Sequence, residues 1–128
     1  MNENRLIIVI NKPISEVFNF GINPINTPSW AESIIKEEVD GFPITEGSIY
    51  KNTNLSGEWS EFTVSRFKEN EIFELTDKNS KYRVRYTFKP ISEMETELNY
   101  FEWMEEGELI RSFKIETLEK LKNIIESL

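Results

Sequence analysis

The 128 residues contain no histidine and no cysteine. Imidazole-based triads, Cys/His zinc sites, disulfide frameworks and histidine pH switches are therefore excluded. Acid–base chemistry would fall to carboxylates, tyrosine or lysine, each needing a burial-shifted pKa to act near neutrality. Glu61 and Glu102 are the catalytic candidates, because each sits in an aromatic, strand-like run where alternation can turn it inward. Glu102 shares parity with Leu98 and Tyr100, so a regular strand would point its carboxylate to the interior. A bulge near Tyr100 would instead turn Glu102 to solvent and bring Phe101 and Trp103 inside. Arg83 and Arg85 alternate outward beside Lys81 and Lys89, where pairing with Glu71 and Glu74 of the preceding strand is the ordinary arrangement. These residues call for no metal and no cofactor.

The elements that must position these groups follow from periodicity and turn chemistry. Leu6 to Ile10 is a continuous apolar run rich in β-branched side chains, suited to a buried strand. Pro13 fits the first turn of a helix carrying Ile14, Val17 and Phe18 at helical spacing, and Asn23-Pro24 stops it. Thr27 is placed to cap a second short helix with Pro28 at its first position and Trp30 and Ile34 toward the interior, Trp30 closing one end of the core. From Ser33 to Met104 turn residues recur at short intervals, which predicts six further strands in an antiparallel meander. Tyr82, Val84, Tyr86 and Phe88 face one way, and Arg83, Arg85, Thr87 and Lys89 the other. Glu97 to Met104 is less regular and implies a bulge or a second contact surface. Helical spacing returns over Ile110 to Leu128, with Glu105, Glu106 and Glu108 near the positive end of the expected helix.

The net charge of −8 repels phosphate backbones and anionic membrane surfaces, so nucleic acid is not an expected partner. No apolar run approaches the ~20 residues of a membrane span, and the start lacks the pattern of a secretory signal. Together with the missing cysteines this predicts a soluble, cytoplasmic protein. The apolar content of 38% supports one core, hence a single domain over residues 1–128.

Strand, two short helices, six strands and one long helix form an α+β order. A seven-stranded curved antiparallel sheet would wrap around the C-terminal helix, the only element long enough to cover its inner face. The residues that carry this order are Pro13, Val17 and Phe18, Asn23-Pro24, Pro28 with Trp30, and Gly47-Ser48-Ile49-Tyr50. Val64-Ser65-Arg66-Phe67, Tyr82 to Phe88 and Leu118 with Leu121-Lys122 continue it. On these residues nearly the whole chain resembles the START-like superfamily, also called SRPBCC or helix-grip. Within it the chain is similar to small bacterial polyketide cyclase/dehydrase and lipid-transport-like proteins.

The resemblance implies a cavity between sheet and C-terminal helix that accepts a hydrophobic or amphipathic small molecule. Its wall would be formed by Tyr50, Phe62, Tyr82, Tyr86, Tyr100, Phe113 and Thr117, where tyrosine pairs an apolar body with a hydroxyl that seeks a partner. The first functional reading is non-catalytic binding of a lipid, an isoprenoid or an aromatic metabolite. The second is a polyketide cyclase/dehydrase-like enzyme using Glu102 or Glu61 with a tyrosine, although the histidine such cyclases often use is missing. The third is a co-chaperone-like interaction module with a filled core. Trp59 and Trp103 are candidates for a contact surface, and a homodimer is an open expectation.

Overall fold

A computed structural model of the chain describes residues 2–110 and 112–128. Its elements are β1 (Glu3–Ile10), α1 (Ile14–Ile22), a 3-10 helix (Pro24–Ser29), β2 (Lys36–Val39), β3 (Ile49–Thr53), β4 (Trp59–Lys68), β5 (Ile72–Asp77), β6 (Tyr82–Ser92), β7 (Glu95–Met104) and α2 (Ile115–Glu126). The strands form one antiparallel sheet in the order β1-β7-β6-β5-β4-β3-β2. The first strand therefore pairs with the last, and α1 with the 3-10 helix carries the chain across to the opposite edge. The expected α+β arrangement, with six strands after the two short helices, is the one observed.

Local chemistry explains the turns. Asn70 joins β4 to β5 at φ 62°, a left-handed conformation that asparagine tolerates better than most residues. Asn23 begins the 3-10 helix as well as ending α1, since its side-chain oxygen accepts the Ile25 N–H at 3.2 Å. Thr27 is thus not the cap it was expected to be. It is buried, and its hydroxyl donates to Glu37 Oε1 at 2.6 Å.

The C-terminal helix begins five residues later than its periodicity suggests. Ile110 is 94% exposed, and the chain up to Lys114 is not helical apart from Arg111, which, like Met1, lies outside the described residues. The buried stripe of α2 is Leu118, Leu121 and Ile125, with Thr117 only half-buried and Leu128 exposed. Glu105, Glu106 and Glu108 consequently stand away from the start of the helix, and Glu116 takes the first-turn acidic place. The delay has a physical cause: Phe113 is held in place by hydrogen bonds to Glu102 and Asn4 before the helix can start.

β7 runs without a bulge through its pairing with β1, and its inward residues Thr96, Leu98, Tyr100 and Glu102 are all buried. The ladder shifts register instead between Pro90 and Ser92 of β6, and between Val64 and Arg66 of β4. Phe101 and Trp103 stack on each other on the outer face at 5.0 Å. The guanidinium groups of Arg5 and Arg85 lie over their rings at 4.3 and 5.1 Å. Cation–π cover makes an outward aromatic pair tolerable without inverting the strand.

Candidate functional site

The inner face of the sheet is covered in two different ways. α2 packs on β1 and α1 and fills its end with Leu118, Leu121 and Ile125. Over the middle strands the cover is the end of α1 with Gly21 and Ile22, the 3-10 helix and the segment from Trp30 to Ile34, and a cavity of about 230 Å³ remains there. Phe62, Phe73, Tyr82, Tyr86 and Tyr100 line it from the sheet, and Phe113 from the segment before α2. Trp30 and Ala31 form the opposite wall, and exposed Ser33 marks where the cavity meets the surface.

Five of the seven residues expected to form a pocket wall are therefore brought together: Phe62, Tyr82, Tyr86, Tyr100 and Phe113. Tyr50 lies apart, fully buried with its hydroxyl donating to the Ile22 carbonyl at 2.8 Å and its ring against Phe73 at 5.4 Å. Thr117 is also off the cavity, because no α2 residue reaches the lining. The cavity lies beside the C-terminal helix, under the 3-10 helix, and not between that helix and the sheet.

Glu102 points inward and is completely buried. Its Oε1 accepts the Tyr82 hydroxyl at 2.6 Å, while its Oε2 accepts the Asn4 side-chain amide at 2.9 Å and the Phe113 backbone N–H at 2.8 Å. Asn4 also donates to the Phe113 carbonyl at 2.9 Å. Glu102 and Asn4 thus form a clasp on the backbone of Phe113, and that ring stacks on Tyr100 at 5.1 Å and meets Trp30 edge-on at 5.9 Å. Tyr82 itself lines the cavity, so its bond to Glu102 links the clasp to the cavity wall. Three donors to one buried carboxylate offset the cost of desolvating it.

Glu61, the other acid singled out by sequence, is on the outer face. Lys78 and Lys51 hold it at 3.4 and 3.9 Å, in a shallow cleft beside exposed Trp59. Arg85 pairs with Glu74 at 2.8 Å as expected, but Arg83 pairs with Glu105, and Glu71 is taken by Lys68.

Sequence reasoning passed over the acid that does line the cavity. Glu37, half-buried on edge strand β2, accepts Thr27 Oγ1 at 2.6 Å and Asn52 Nδ2 at 3.1 Å. Burial pushes its carboxyl above the usual range, and those two hydrogen bonds pull the other way. One signal was available: in Lys36-Glu37-Glu38-Val39, Glu37 shares parity with apolar Val39 and so faces the core. Trp30, expected to close one end of the core, also lines the cavity. It is 1% exposed, and its Nε1 has no hydrogen-bond partner among the described residues. Burial, reinforced by neighbouring charge, raises Tyr82, Tyr86 and Tyr100 well above the ordinary tyrosine value. Near neutrality they are hydroxyl donors, not phenolate bases. Among the described residues, no group of three or more metal-ligating side chains is brought together.

No protein-family model matches the chain, and no curated relative matches it. Solved structures do. A START superfamily protein from Mycobacterium smegmatis superposes with a TM-score of 0.72 at 11% identity, covering 99% of each chain. The XoxI protein from Bacillus cereus gives 0.75 at 12% identity, over 98% of this chain and 96% of that one. The di-domain ARO/CYC BexL from the BE-7585A biosynthetic pathway gives 0.62 at 13% identity, over 81% of this chain and 36% of its own length. The chain has the START-like helix-grip fold. Among the described residues no helix is long and apolar enough to cross a membrane.

Proposed function

We propose that this chain is a single START-like unit that binds one compact amphipathic molecule, without catalysis, in the cavity under the 3-10 helix. The observation that carries this reading is the wall itself: aromatic rings surround a hollow, with Glu37 at the wall and the Trp30 N–H unpaired among the described residues. A buried donor without a partner costs stability, and a ligand oxygen would remove that cost. A volume of about 230 Å³ is below the ~300–1,000 Å³ of drug-sized sites, which favours an aromatic metabolite or short isoprenoid over a long acyl chain.

Native mass spectrometry of protein purified under gentle conditions tests the reading. The expected result is a mass excess of one small molecule per chain, missing in Val84→Phe, whose ring would occupy the hollow from β6. Chains of apoprotein mass only, with Val84→Phe behaving identically, would count against it.

Acid–base chemistry is the second reading, favoured by the hydrogen bond from the cavity-lining Tyr82 hydroxyl to Glu102. It ranks lower because Glu102 does not itself line the cavity and its oxygens already hold three donors.

A further inference from the structure

The chemistry of the cavity wall goes beyond its size and narrows the class of ligand, given that the cavity is a binding site. Of the described residues that line it, Glu37 is the one acid, and none is lysine or arginine. An anionic ligand such as a fatty acid or an organic phosphate would find no counter-charge there and would face a carboxylate. A cation meets the opposite situation. Each Glu37 oxygen accepts one protein hydrogen bond and keeps a further lone pair, and the aromatic rings that line the same cavity belong to the class of side chain that attracts positive charge.

We propose that the ligand is a compact organic ammonium compound, its charged nitrogen paired with Glu37 and its apolar body lying among Tyr86, Tyr100 and Phe113. An oxygen acceptor on the same molecule, a phenol or an ether, satisfies the Trp30 N–H. The partial burial of Glu37 strengthens such a pair, because charge-assisted hydrogen bonds gain where water is scarce. The same desolvation holds the Glu37 carboxyl above its usual range while the site is empty, a penalty that an incoming ammonium group offsets.

Calorimetric titration with three matched probes decides the matter: tyramine, its alcohol analogue tyrosol, and 3-(4-hydroxyphenyl)propanoate. Tyramine is expected to bind about tenfold or more tightly than tyrosol, and the propanoate most weakly. Glu37→Gln should bring the tyramine-to-tyrosol ratio close to one, whereas Glu61→Gln on the outer face should leave that ratio as it is. Equal affinities, or a preference for the propanoate, overturn the ammonium assignment while the cavity remains a binding site. Failure of all three to bind at millimolar concentration also overturns it, and the native mass measurement then decides separately whether the cavity holds any ligand.

Discussion

The two ends of the inner sheet face are packed in opposite ways. Under α2 the core is solid: Ile10, Val17, Leu98, Leu118, Leu121 and Ile125 are each at most 1% exposed. Under the 3-10 helix it is hollow, and Ile34, Glu37, Asn52 and Phe62 stay half-buried at the cavity. A helix of 12 residues delivers a leucine or isoleucine at nearly every turn toward the sheet. A 3-10 helix of six residues with two prolines offers few side chains in that direction, and the gap it leaves is the site. The two inward acids follow the same division: Glu102 belongs to the solid side as a clasp, and Glu37 to the hollow side as an open polar group.

The contrast can be broken or sharpened by substitution, starting with the clasp. Glu102→Ala would leave Asn4, the Phe113 N–H and the Tyr82 hydroxyl without their shared acceptor. A loss of about 3–5 kcal/mol is expected in urea denaturation, with Phe113 released from the cavity wall. A loss below 1 kcal/mol would mean that the clasp is replaceable by water. Next, Leu118→Ala in the solid half should cost about 2–5 kcal/mol, because close-packed neighbours relax only partly around a new void. In the hollow half Val84→Phe should do the reverse, raising stability by about 0.5–2 kcal/mol by filling space already empty. A destabilised Val84→Phe would show that the hollow cannot take a ring.

The smallest effect concerns Glu37 and has a definite sign. Its carboxyl is held above the usual range in the folded chain, so the folded state binds this proton more tightly than the unfolded state. The ionised form therefore costs stability, with no cost below the unfolded-state value and the full cost once pH exceeds the folded-state value. Thr27 and Asn52, which face it, do not titrate, and nearby Tyr50 and Tyr86 stay neutral because their own values are raised. The stability advantage of Glu37→Gln over the parent chain should grow as pH rises from ~4 to ~7 in paired melting curves. A constant offset across that range would place Glu37 in water.

Much of the container was legible in the chain. Pro13, Asn23-Pro24 and Pro28 punctuate two short helices because proline restricts backbone angles locally. The alternation of Tyr82, Val84, Tyr86 and Phe88 marks an inner face because a strand has period two. Glu102 was harder to place, since its direction depended on whether Phe101 and Trp103 could face outward. That question was answered by Arg5 and Arg85, which cover the two rings from β1 and β6. The start of α2 was misplaced for a related reason. Ile110 and Phe113 fit a helical period, yet Phe113 is held by an acid 11 positions earlier and an amide 109 positions earlier.

Sequence alone therefore determined the order of elements, the inward set of β6 and the exclusion of histidine and cysteine chemistry, because each depends on residue type and short-range spacing. Tertiary structure alone decided that the cavity lies beside the C-terminal helix, that Glu102 is spent on a clasp, and that Glu37 and Trp30 meet at one cavity wall. Those outcomes depend on contacts between residues far apart in the chain. A void is the volume that packing fails to fill, and local periodicity does not specify it.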